Sequence, residues 1–420
     1  LQQGKFSLLG YRMFENSPYQ KENGLSGEYL PFWEYRRLIA ASNFPAHAFP
    51  RDLAMINWES NDMRSANIID QPLSVAAQRL AKAKYLSLGF LYWMQTEMPR
   101  DDGAKGYPEL KLRSDILGTN DGLSKYPYIR ESRRLKARYT IVEEDIACSS
   151  NPGVRAKNFS DSLGIGLYPI DIHGPQDVPG AGQATRPFQI PASAMVSLGL
   201  RNYLPAAKNL GTSHVSNGAY RLHPIEWSLG EAAALFAYEA LNAKTDTWRL
   251  LKNKRSLRRL QKHLLSRGVP LVWFDDLSPE DPSFAAAQYL ALTQLMPMDT
   301  SSLQFRPKSP LTRAELSISL QRLLRLSPVA DSSWQISDLA ADDSRYESIV
   351  KTCAHGLMKL TEAGEFRPDS PVTLSEMQEL SSNPLLRFDY KSLACDYVQR
   401  ADFADWLYAL AIQPRFFGRH

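Results

Sequence analysis

Residues 186–241 read RPFQIPASAMVSLGLRNYLPAAKNLGTSHVSNGAYRLHPIEWSLGEAAALFAYEAL. The run MVSLGLRNYLPAA, 195–207, predicts a strand that enters a sheet, and Pro205 places it at an edge or a strand end. Residues 208–219 then read as a loop of Asn, Gly, Ser and Thr with little apolar bulk. Pro224 predicts a helix start, where its missing N–H costs nothing. Ile225, Leu229, Ala232, Ala233 and Phe236 recur at helical spacing. Gly230 and the three alanines after Glu231 thin one face, which lets a backbone or a flat ligand approach closely. The free N–H groups at such a helix start suit an anion or a reduced ring. The same residues also suit an ordinary helix packed on a sheet.

Composition bounds the rest. At 420 residues the chain has room for two or three domains. Hydrophobic residues make up 44% and charged residues 22%, as in soluble globular proteins. No apolar run reaches membrane-spanning length. A net charge of +4 is too small to point to nucleic acid. The densest basic segment, 249–267, reads RLLKNKRSLRRLQKHLLSR with leucines at helical spacing. It predicts one amphipathic surface helix, or else a polyanion or membrane contact. Cys148, Cys353 and Cys395 are far apart, form no C-x-x-C and leave room for one disulfide. No H-x-x-x-H pair occurs among the seven histidines, so no metal site is expected. No G-x-S-x-G is present, so a hydrolase nucleophile elbow is not supported. Residues 72–97 predict the clearest helix, with Tyr85, Phe90, Tyr92 and Trp93 expected in the core.

Four stretches agree in content and order with one bacterial family. They are NWESNDM (57–63), YPYIRESRRLKARYTIVEEDI (126–146), DSLGIGLYPIDIHG (161–174) and the opening segment. Together they resemble the C-terminal part of FAD-dependent oxidoreductases with the glutathione-reductase-like flavin fold, over roughly residues 20–275. The resemblance implies that 186–241 is the last strand, loop and helix of a flavin-binding domain. It implies FAD as cofactor and a small-molecule substrate. Lys208 and Asn209 stand where the family commonly has Arg-Asn near the FAD phosphates and ribityl chain. Lysine keeps the charge there but loses the fork of donors. Asn217, Gly218, Ala219 and the helix start at Pro224 would face the flavin ring. His173, Asp171, His214 and Arg221 are the catalytic candidates on the substrate side, as partners of a reduced flavin or as proton acceptors. Each also has a structural reading: His214 and His223 as loop caps, Arg221 as an ion pair. Arg130, Glu131 and Arg134 suit an ion-pair network better than a cofactor contact. The loop 174–186 is read as a lid or a connector.

The pyrophosphate signature of this fold, G-x-G-x-x-G on a strand–loop–helix, does not occur in these residues. GAGQAT at 180–185 ends in Thr and follows a Pro-rich loop, and GIG at 164–166 runs into Pro169. The chain opens at Leu1 without a signal-peptide pattern. The expectation is a C-terminal portion of a longer protein, which by itself binds FAD poorly. A processed chain, or one that lost the module, is the alternative.

After about residue 275 the character changes. FRPKSPLT (305–312) recurs as FRPDSPVT (366–373) at an offset of 61 residues, and Glu315 and Glu376 keep that offset. Thr followed by Glu three positions on predicts a capping box in each copy. RADF at 400–403 echoes RAEL at 313–316 as a degenerate third copy. A repeat of this length predicts helical hairpins. FxPxxPLTRAEL looks like the S-layer homology module, over roughly 278–410, closest in the first copy. That resemblance implies cell-wall polysaccharide as a partner and a cell-envelope or secreted location. The other reading is a helical packing domain only.

The expected fold is α/β: a mixed α+β substrate region over 1–190, the closing piece of a partial FAD-binding domain over 191–275, and an all-α repeat domain over 276–420. The expected function is FAD-dependent hydride transfer. The alternatives are a polysaccharide-binding envelope protein with a non-functional flavin region, and a purely structural helical module.

Overall fold

The computed structural model describes residues 6–20, 26–175, 178–328, 334–386 and 396–417. They form a mixed α/β protein. The strands are β1 (Ser17–Gln20), β2 (Ser26–Tyr29), β3 (Arg37–Ile39), β4 (Leu53–Ala54), β5 (Ser162–Gly166), β6 (Ile170–Ile172), β7 (Ala181–Gln183) and β8 (Phe188–Pro191). The helices are α1 (Phe32–Arg36), α2 (Leu73–Thr96), α3 (Ser114–Leu117), α4 (His214–Tyr220), α5 (His223–Asn242), α6 (Thr247–Lys252), α7 (Lys254–Ser266), α8 (Phe284–Leu292), α9 (Arg313–Leu324), α10 (Tyr346–Ala354), α11 (Leu374–Ser381) and α12 (Arg400–Ala411). Every sheet among the described residues is an antiparallel pair: β1–β2, β3–β4, β5–β8 and β6–β7. The chain divides into two compact units, Leu1–Ile129 with His173–Gly180, and Arg130–Ile172 with Ala181–His420.

The first unit is built on α2. Phe90 and Met94 bury its inner face with Met13, Phe32 and Trp58. Tyr85 and Tyr92, expected in the core, are exposed instead. Seven residues apart, they share the helix face turned from Phe90 and Met94.

The second unit has one continuous core that runs from Ile141 to Phe416. Helix α5 lays Ile225, Leu229, Ala232 and Phe236 into it, as the spacing predicted. The expected strand over 195–207 does not form. β8 precedes it, and Ser197 Oγ accepts from the Gly199 and Leu200 amides at 3.2 and 3.0 Å, turning the chain before a ladder can start. Leu198 and Leu200 consequently face solvent. The expected loop over 208–219 is partly helical. Ser213 caps α4: its Oγ accepts from the Ser216 amide and Ser216 Oγ accepts from the Ser213 amide, both at 3.1 Å. The single helix expected over 249–267 is two, because Asn253 ends α6 and its Oδ1 accepts from the Ser256 amide at 3.0 Å to open α7. GAGQAT lies on and after β7, in a hairpin with β6 and with no helix following, so it is no nucleotide turn.

From α8 onward the described elements are helices joined by isolated bridges. Both capping boxes form, at Thr312/Glu315 and Thr373/Glu376. The correspondence between copies extends to hydrogen bonds, with the accepting aspartates 62 residues apart. Asp276 accepts from the Phe305 and Arg306 amides, and Asp338 accepts from those of Phe366 and Arg367. The lead-in segments of the three copies close a ring: Leu311 N–H donates to Val398 O at 2.8 Å, Val398 N–H to Val372 O at 3.0 Å, and Val372 N–H to Leu311 O at 2.8 Å. Arg400 donates to Phe305 O at 2.8 Å and pairs with Glu315, while Arg313 donates to Phe366 O at 2.8 Å and pairs with Glu376. Leu374, which stands where Arg313 stands in the first copy, supplies no third clamp. Cys148 and Cys353 are free thiols, and Cys395 lies outside the described residues.

Candidate functional site

Residues 208–224 fold around a buried ion pair. Arg221, at the C-cap of α4, donates from Nε to Glu131 Oε1 at 2.8 Å. Its Nη2 donates to Asp171 O at 2.8 Å and to Asp171 Oδ2 at 3.2 Å. The Arg221 and Glu131 side chains are 7% and 8% exposed, so water screens this pair poorly. His214 opens α4 on the exposed side, with Nε2 3.9 Å from Glu131 Oε2. Two candidates, His214 and Arg221, thus meet at Glu131, and Arg221 links the third, Asp171, to them. Arg221 ties Glu131 to Asp171 of β6; the sequence placed Glu131 and Arg221 each in an ion pair, but did not pair them with each other.

Asn217 is the pivot of the loop. Its Nδ2 donates to Lys208 O at 2.8 Å and to Thr212 Oγ1 at 2.9 Å. A carbonyl can face only the amide nitrogen, so the orientation of this side chain is fixed. Asn217 Oδ1 is then a buried acceptor with no hydrogen-bond partner among the described residues. Lys208 is half-buried, and desolvation lowers the pKa of its ammonium. Asn209 donates from Nδ2 to Tyr203 Oη at 2.9 Å. Gly218 and Ala219 are buried. A Cβ on Gly218 would lie 2.8 Å from Ile172 Cδ1 and 3.0 Å from both Asp171 N and O, so glycine lets α4 sit against β6. Pro224 is exposed in the first turn of α5.

Gly211 fixes the entry to this loop. Its N–H donates to Ala194 O at 2.8 Å and its carbonyl accepts from the Ile141 amide at 2.9 Å. A Cβ there would stand 2.4 Å from Ala137 Cβ and 2.6 Å from Tyr139 O. Gly211→Ala is therefore expected to cost about 1–3 kcal/mol through forced backbone shifts. Chemical denaturation measures it, and a loss below about 0.5 kcal/mol, the range of a neutral surface change, would show that the segment relaxes freely.

Tyr139, five residues after the RESRR stretch, donates to Asp145 at 2.7 and 2.8 Å, and Lys157 donates to both at 2.8 Å. Arg134 donates to Ser132 O at 2.7 Å, and Glu131 of the same stretch pairs with Arg221. His173 belongs to the first unit, where its Nδ1 lies 2.7 Å from Asp62 Oδ2. Asp62 was visible in sequence only as part of NWESNDM. The loop 174–186 contains β7, and residues 176–177 in it lie outside the described residues. No metal-binding cluster occurs among the described residues.

The model of the family described as FAD dependent oxidoreductase matches residues 11–264. The chain belongs to this FAD-dependent oxidoreductase family. Its match spans the four stretches that carried the resemblance and ends within α7. An S-layer homology domain matches residues 335–377, so it falls on the second copy of the repeat, which had seemed the poorer of the first two. No curated protein matches the chain. No helix among the described residues is long and apolar enough to cross a membrane.

Proposed function

We propose that the chain carries the ring side of an FAD site, at which hydride passes to or from a small organic substrate. Residues 1–190 are read as the substrate region, 191–275 as the closing piece of the FAD-binding domain, and 276–420 as all-α S-layer-homology-like repeats. FAD, when bound, supplies the two-electron chemistry. The observation that carries the reading is Asn217 Oδ1, a buried acceptor awaiting a donor. A flavin fits, because its ring imide and ribityl hydroxyls are donors and its phosphates match the Lys208 ammonium. Asn217 would accept from the cofactor while its Nδ2 holds the Lys208 backbone. Lys208 would balance phosphate charge, and Asn209 would serve the ribityl chain. Gly218 and Ala219 bring the α4 backbone close to β6, and Pro224 opens α5 toward the ring. Arg221 holds the Asp171 carboxylate, and Asp171 and His214 would accept a substrate proton. His173, oriented by Asp62, is the further base candidate.

These residues contain no G-x-G-x-x-G, so FAD is expected to bind this polypeptide weakly. Flavin-fluorescence titration tests both points. Asn217→Ala should weaken binding about tenfold, the worth of one buried hydrogen bond to a polar group. Unchanged affinity would remove Asn217 from the site, and a tight stoichiometric yellow complex would overturn the expectation of weak binding.

The second reading is a cell-envelope protein that binds polysaccharide and whose flavin region is non-functional. The S-layer homology match and the lysine at 208 favour it. Co-sedimentation of the full chain with purified cell-wall polysaccharide tests it, and no sedimentation would leave the repeats a packing role.

A further inference from the structure

Helix α7 carries its basic residues on two faces. Arg258 turns inward and donates to Ser160 O at 2.9 Å and Gln261 Oε1 at 2.6 Å, among buried Leu257, Leu260 and Leu264. Arg255, Arg259 and Lys262 follow one another at spacings of four and three, and so share the other face. There they line a hollow of about 430 Å³ together with His263, Tyr408 of α12 and Phe417.

The hollow is organised from beneath. Glu239 of α5 has a side chain 2% exposed, with Oε1 2.6 Å from His263 Nδ1 and Oε2 3.8 Å from Arg259 Nε. It anchors two of the lining groups and neutralises one charge. Among the described residues, Arg255 and Lys262 have no carboxylate within 4.0 Å. Lys262 Nζ instead lies 5.5 Å from the centre of the Phe417 ring. Tyr408 is held edge-on against Tyr289, with ring centres 5.2 Å apart. Three cations set against one carboxylate leave the hollow with an excess of about two positive charges, a match for a dianion. Tyr408 and Phe417 add apolar ring surface beside that charge. Such a hollow takes a charged head and a flat or ring-shaped body together.

We propose that this hollow binds a phosphate monoester that carries a ring. Its lining comes from α7, α8, α12 and Phe417, and none of its lining residues belongs to the proposed flavin site or to the repeat clamps. The binding energy comes from releasing ordered counterions and from ring contact, and both are readable in titration.

Phenyl phosphate is the probe, titrated calorimetrically into the full chain. One site is expected, with affinity falling at least fivefold between 50 and 300 mM salt (about the loss of screening-sensitive ion pairs). Phenol should not bind, and inorganic phosphate should bind several-fold more weakly. The double variant Arg255→Gln, Lys262→Gln should lose at least tenfold, as removal of two charge-assisted contacts implies. The charge-keeping pair Arg255→Lys, Lys262→Arg should stay within about threefold of the wild type, which separates lost charge from a lost fold. No binding by the wild type, or equal binding by the Gln variant, overturns the proposal. Inorganic phosphate binding as tightly as phenyl phosphate overturns the ring contact and with it the ligand class.

Discussion

Arg221→Met is expected to destabilise the second unit by about 3–5 kcal/mol, because it leaves the Glu131 carboxylate buried without its cation. Two carbonyl and carboxylate oxygens of Asp171 lose their donor in the same step. A methionine fills much of the arginine stem's volume, so the loss reports charge and hydrogen bonding more than a cavity. Adding Glu131→Gln should return a large part of the stability, since the uncompensated charge is then gone. Denaturant unfolding of the single and double variants measures both quantities. Hydrogen exchange over 214–221 places the damage, with faster exchange of α4 amides expected. A loss below about 1 kcal/mol, the worth of a surface pair, would show that water reaches Glu131.

Arg400→Met is expected to cost a similar 3–5 kcal/mol. Its side chain is only 10% exposed, donates to Phe305 O, pairs with Glu315 and lies 5.1 Å over the Phe305 ring. Desolvation already pulls its guanidinium pKa down to about 10, so burial disfavours this charge. Glu315 keeps a second task, accepting from Thr312 N–H at 3.0 Å. Glu315→Gln beside Arg400→Met should therefore recover stability while leaving α9 capped. Failure of the pair to recover would mean that the Phe305 carbonyl, not the carboxylate, carries the clamp. Calorimetry of the four proteins in the cycle decides between them.

Much of this was legible in the chain. Ile225, Leu229 and Phe236 announced α5 by period, and Thr312 and Thr373 announced two helix starts by their glutamates three residues on. Local rules sufficed there because each signal and its partner lie within one turn. Ser213–Ser216 was missed because a serine at the third position is a weaker version of the same signal. The strand over 195–207 was misread because Ser197 satisfies two amides locally, a competition that hydrophobic pattern does not display. Asp171, His214 and Arg221 were named as candidates by resemblance, but the pairing of Arg221 with Glu131 spans 90 residues. Asp62 and His173 lie 111 residues apart and met only in the fold. Pairings at such separations leave no mark in one sequence.

The ring of Leu311, Val372 and Val398 has a kinetic consequence. Each amide finds its acceptor on a different copy, so no two of them form a closed pair. A nascent chain that has delivered Leu311 and Val372 holds one bond of three, with buried donors and acceptors still in search of partners. The ring locks only when Val398 emerges, 87 residues after Leu311 in sequence. Closure is thus a late, long-range event that pays its loop entropy all at once.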